Sequence, residues 1–92
     1  DGRIERVSVA LARWGVDPRV NDLAVTREPE GPRLWIATDR GLFVHDGQRF
    51  APVDDPRGPG EGHVTALHVD ARGALWVASS RVLARHARGV WS

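Results

Sequence analysis

The sequence predicts an all-β fold of two four-stranded antiparallel units. Turn-forming residues recur at short intervals, the stretches between them are rich in aromatic and β-branched residues, and one long segment occurs twice. No stretch holds a helical apolar period with caps at its ends.

The repeat emerges when Val20–Phe50 is laid over Val64–Trp91. Val20 matches Val64, Leu23 matches Leu67 and Val25 matches Val69, an offset of 44 residues. Beyond the "TREPEGPR" loop the offset is 41, which pairs Leu34 with Leu75, Trp35 with Trp76, Arg40 with Arg81, Leu42 with Leu83, His45 with His86 and Phe50 with Trp91. The first copy therefore carries three extra residues in that loop. Self-similarity of this kind marks a repeat architecture.

In the first copy, strands are expected at Val20–Thr26, Leu34–Thr38, Leu42–Asp46 and Gln48–Pro52. "DRG" separates the second from the third, with Gly41 able to take positive φ, and Asp46-Gly47 is a further hairpin signal. In the second copy, strands are expected at Val64–Asp70, Leu75–Ser79 and Leu83–Ala87, with a stub at Val90–Ser92. Asp70–Gly73 is a turn, and Val82 replaces the glycine of the first copy, which requires a turn of another type. The Pro- and Gly-rich Val53–Gly62 joins the copies. At the N-terminus Ile4, Val7, Val9 and Leu11 alternate in a lone strand, Arg3–Leu11, and "RWGVDPR" leads into the first copy. The chain thus divides into an outer strand and linker (1–19), a first unit (20–52), a linker (53–63) and a second unit (64–92) with its outer strand cut short.

The 92 residues suit one small domain. A hydrophobic fraction of 41% with a formal charge of +1 excludes a disordered polyelectrolyte. There is no cysteine, hence no disulfide framework or thiolate metal site. No apolar run approaches the roughly 20 residues of a membrane span. The chain opens on Asp1, contains no methionine and reads as trimmed. All 13 basic residues are arginine, but 12 acidic residues are interleaved with them, so no basic stripe forms and no nucleic-acid partner is expected.

The pattern "V..L.V...G.LW(I/V)A(T/S)..GL....G..(F/W)", best kept in "LWIATDRGLF", resembles the two-component-regulator propeller repeat. The second copy departs from it at "SSRVL". The resemblance implies β-propeller blades, as in extracytoplasmic sensor regions of bacterial kinases, and with them a periplasmic or extracytoplasmic setting. The motif carries no catalytic residue. It implies a non-catalytic propeller module for ligand sensing or protein interaction, without a cofactor; the alternative is a carbohydrate-binding, lectin-like oligomeric propeller. Two blades do not close a ring, so the chain is expected either to be part of a longer propeller or to close a ring as a homo-oligomer of about three or four chains. Each Arg3–Leu11 strand would pair with Leu83–Ala87 of a neighbour.

Trp35 and Trp76, at matched places, are expected to pack between blades, and Trp14 and Trp91 nearer the loops and outer edge. His45 and His86 are read as solvent-facing strand residues, His63 as a loop residue and His68 as belonging to an innermost strand. Nothing in the sequence has the spacing of a nucleophilic triad, a phosphate loop, paired catalytic carboxylates or a metal site. In a propeller, the turns between second and third strands share a face with the linkers. That face would carry Asp39, Arg40, Ser80 and Arg81 with Asp17, Arg19, Asp54, Asp55 and Arg57, and Trp14 nearby. Arginines gathered there suit a small anionic ligand or an acidic glycan.

Overall fold

A computed structural model of the chain describes residues 19–60 and 62–92. They form β1 (Val20–Glu28), β2 (Gly31–Thr38), β3 (Gly41–His45), β4 (Phe50–Pro52), β5 (Val64–Val69), β6 (Leu75–Ser79), β7 (Leu83–Ala87) and β8 (Val90–Trp91). The strands make two four-stranded antiparallel sheets, ordered β1-β2-β3-β4 and β5-β6-β7-β8. Among the described residues there is no helix long and apolar enough to cross a membrane.

Two boundaries differ from expectation. First, "TREPEGPR" is a hairpin and not a loop: β1 continues to Glu28 and pairs Thr26 with Arg33, Arg27 with Pro32 and Glu28 with Gly31. Pro32 is tolerated because the β3 ladder ends at the Leu34–His45 pair, before the missing N–H would be needed. Second, β4 begins at Phe50. The amides of Gln48 and Arg49 donate to the Asp46 carboxylate at 2.9 and 3.1 Å, closing an Asx turn instead of extending the ladder. The Gln48 bond, then the Arg49 bond, hold the Asp46 carboxyl below its ordinary pKa.

The second sheet closes with a two-residue fourth strand at the position of the expected stub. β8 pairs Trp91 with His86 and Val90 with Ala87, and Ser92 exchanges both backbone bonds with Arg85 at 2.8 and 3.0 Å. A two-residue turn, Arg88-Gly89, closes this hairpin with φ of 54° and 79°, the sign required by a type I′ turn. The β7 edge expected to receive Arg3–Leu11 of a neighbour is therefore occupied over Arg85–Ala87 by the chain's own C-terminal strand. Arg3–Leu11 itself lies outside the described residues.

The two sheets stack face to face. Trp35, Ala37 and Leu42 of the first pack on Val64, Leu75, Val77, Ala84 and Trp91 of the second. At the centre the Trp35 ring lies 5.0 Å from His86 and 5.9 Å, edge-on, from Trp91. Its indole N–H donates to the Thr26 hydroxyl at 2.7 Å. The Trp76 indole donates in the same way to Asp70 at 3.0 Å, and Asp70 is the repeat counterpart of Thr26. That bond, followed by one from the Ala74 amide, depresses the Asp70 carboxyl pKa.

His86 corrects a sequence expectation. It is not solvent-facing but 5% exposed, wedged between Trp35 and Trp91, the latter at 4.9 Å. Its counterpart His45 stacks on Phe50 at 4.5 Å and stays partly exposed. Burial pushes the His86 pKa below the ordinary 6.5; the Glu28 and Asp55 charges oppose this and Arg33 adds to it.

β1 and β5 each carry a bulge at the same repeat position, Val20/Asp22 and Val64/Ala66. The β1 bulge reaches across the stack: Asp22 accepts the Leu67 amide and Asn21 donates to the Val64 carbonyl, both at 2.9 Å. These bonds occupy backbone groups on the edge of β5 that no strand serves.

Trp35→Ala should destabilise by roughly 3–5 kcal/mol in urea melts, as for a large aromatic deleted from a core. Thr38→Ala should cost roughly 1–3 kcal/mol, because its buried hydroxyl donates to the Gly41 carbonyl at 2.7 Å and accepts the Arg40 amide at 3.1 Å.

Acid should act in two windows. Since the folded-state pKa of His86 lies below its unfolded value of 6.5, the unfolded chain takes the proton first, and stability falls as pH drops through 6.5 toward the folded value. Asp46 and Asp70, with lowered pKa values, lose their contribution only below 3.8. Urea midpoints should decline as pH falls below about 6.5, and His86→Phe should flatten that decline without altering the acid limb.

Candidate functional site

The β2–β3 turn, the β6–β7 turn and the connection 53–63 meet at one end of the stack. There a cleft of about 480 Å³ opens between Asp39–Leu42 on one side and Pro52–Asp54 on the other, with Gly60 and Gly62 as backbone wall. Gly41 is favoured by its backbone: its φ of +114° is one that side chains rarely adopt, while a Cβ there would meet the Gly60 carbonyl only at ordinary contact distance.

Asp39 is the most engaged residue of the cleft. One carboxylate oxygen accepts from Asn21 Nδ2 and contacts His63 Nε2, each at 2.9 Å. Its amide donates to the Arg19 carbonyl at 3.1 Å. Both members of the Asp39–His63 pair are partly exposed, so the contact positions the turn more than it stabilises the fold. Arg40 and Asp54 line the cleft, and their side chains make no hydrogen bond or ion pair with any described residue.

The structure thus brings Asp39, Arg40 and Asp54 together. Ser80 adjoins them, its amide bonded to the His63 carbonyl at 3.0 Å and its hydroxyl beside Gly62. Arg81 is exposed in the β6–β7 turn, where its amide donates to the Ser79 hydroxyl at 3.2 Å, and it does not line the cleft. Asp55 and Arg57 also stand apart. The Arg57 amide donates to the Asp55 carboxylate at 2.8 Å and the Gly58 amide to the Asp55 carbonyl at 2.9 Å, curling that turn back toward Trp91. Trp14 and Asp17 lie outside the described residues. With two carboxylates to one guanidinium, the cleft's own lining suits hydroxyls and amines better than an anion.

Two contributors to this end were missing from the sequence reading. Asn21 and His63 both bind Asp39, and Asn21 also ties it to β5. An Asn-Asp pair inside an otherwise apolar strand segment was the available signal, since both residues are poor strand formers and favour bulges and side chain–backbone bonds. Among the described residues no group of three or more His, Asp or Glu is placed to hold a metal ion. No protein-family model, curated protein or solved structure matches the chain.

Asp39→Ala should cost roughly 0.5–1.5 kcal/mol in urea melts, since Asn21 keeps its bond to Val64 when it loses this one. The same variant should perturb the His63 ring resonances while leaving those of His86 in place.

Proposed function

We propose that the chain is a non-catalytic propeller module for protein interaction and ligand sensing, its two sheets being neighbouring blades. One observation supports this reading above the others. Matched residues of the two copies face the same direction along the stack. Trp35, Ala37 and Leu42 point from the first sheet into the second, whereas Trp76, Ala78 and Leu83 sit on the second sheet's far face. Conversely Leu34, Ile36, Phe43 and Phe50 cluster on the first sheet's far face, and their counterparts Leu75, Val77, Ala84 and Trp91 fill the interface. The sheets are therefore stacked head to tail, as successive blades are.

Head-to-tail stacking leaves an open apolar face. Leu42 is 2% exposed inside the stack, while its counterpart Leu83 is 64% exposed, with Val90 at 57% at the other end of the same face. Trp76 lies on that face under the Arg85 guanidinium, 5.7 Å from the ring centroid. An exposed apolar surface with a buried equivalent in the same molecule is an interaction surface. Its partner under this reading is a further sheet stacked in the same sense, supplied by another copy of the chain. Ligand sensing falls to the end carrying Asp39, Arg40 and Asp54.

Light scattering should find a species of about three or four times the 10.1 kDa chain mass. Leu83→Glu, which places a charge on the open face, should lower that mass while preserving the circular dichroism of the sheets. A wild-type chain that is folded and monodisperse at 10.1 kDa would overturn the assembly.

A further inference from the structure

The end of the stack opposite Asp39 holds a second, larger cleft of about 750 Å³, enclosed by the tips of the β1–β2, β5–β6 and β7–β8 hairpins. Its size falls within the roughly 300–1,000 Å³ of small-molecule sites. Five arginines and two glutamates are among its lining residues. The wall contributed by β1–β2 exists because that hairpin runs past the end of β3, which is where the three extra residues of the first copy went.

The cations here are not consumed by the fold. Arg27, Arg72 and Arg88 side chains make no hydrogen bond or ion pair with described residues. Arg33 pairs only at 3.8 Å with Glu30, and Arg85 turns its guanidinium to Trp76 on the far face. Arg88 is also the one non-glycine residue at positive φ among the described residues, at 54°. An arginine in a left-handed turn position, where Asn or Gly is easier, is a local cost located on the rim of a cleft.

The floor supplies an independent sign. His86 is 5% exposed and lines the cleft, yet its ring nitrogens make no hydrogen bond. Neither nitrogen is sealed in the interior without a partner, so the polar edge of the ring opens on the cleft. A buried imidazole with an unfilled bonding edge, below unpaired guanidiniums, is a donor set without its acceptor.

We propose that this cleft binds a hydroxyl-bearing phosphate monoester, of the sugar-phosphate class. The phosphate dianion is held by the Arg72 and Arg88 guanidiniums, whose planar forks match its oxygens, with the His86 N–H beneath. Glu28 and Glu30 on the facing wall repel the phosphate and accept hydrogen bonds from hydroxyls of the organic part. The site lies at the other end from Asp39 and needs no residue of the open Leu83 face.

Isothermal titration calorimetry with glucose 6-phosphate as probe tests this, with glucose alone as the second arm. Glucose 6-phosphate should bind saturably with Kd below about 1 mM, and glucose should not bind in that range. Arg88→Asn removes the guanidinium but keeps a residue suited to positive φ, so the turn survives; with Arg72→Gln as a second variant, each should weaken binding about tenfold or more. Arg49→Gln, in the β3–β4 turn and outside both clefts, should leave affinity unchanged. No saturable binding of glucose 6-phosphate, equal binding of glucose, or wild-type affinity in both Arg88→Asn and Arg72→Gln would each overturn the assignment.

Discussion

Trp35 pressed against His86 and Trp91 is the contact on which the remaining structure depends. Burying an indole of this size stabilises by roughly 4–6 kcal/mol, comparable to the whole net stability of many small domains. The contact imposes conditions on its surroundings. The indole N–H needs an acceptor, so β1 has to reach Thr26 opposite Arg33. Burial of the imidazole beneath it pushes the His86 pKa below its ordinary value. Trp91 has to be present as the third ring, which requires the tight Arg88-Gly89 turn and the short β8. An edge strand of two residues is thereby tied to the centre of the molecule.

Around this contact the polar groups follow one scheme in both copies. Thr26 and Asp70 hold the two indole N–H groups. Thr38 and Ser79 each accept an amide of the following turn and donate to a carbonyl beyond it. The second scheme works without a glycine at Val82, because β7 starts at Leu83, one residue later than β3 starts at its own copy. Across the stack, the Asn21 and Asp22 bulge answers the backbone edge of β5. No side-chain polar atom sealed inside the described residues lacks a partner, so the small core carries little uncompensated desolvation.

Much of this was legible. The matched place of Trp35 in the repeat marked it for packing between the sheets, and the all-β class followed from the turns. The approach of Asp39 and Arg40 to Asp54 followed from the order of turns and linker. His86 was not legible. The same repeat position meets solvent at His45 and two tryptophans at His86, because the far face of the first copy corresponds to the inner face of the second. The β1–β2 hairpin was hidden by its prolines, which read as a break until the end of the β3 ladder shows that Pro32 forfeits nothing. Arg57 was misplaced because a local Asp55 turn, not the path of the linker, decides where it points.

The unequal hairpins have a consequence for the folding chain. Two copies of one sequence pattern in one polypeptide invite crossed pairing, the usual failure of repeat proteins. Here β1 and β2 are nine and eight residues long, while β5 and β6 have six and five. If β1 took β6 as its partner, the Arg27–Glu28 end would hang unpaired and the Trp35 indole would lose the register that brings it to Thr26. Correct pairs are also the nearest in sequence, so they close first and with the smallest loss of chain entropy. The length difference works as a label by which each strand tells its own copy from the other.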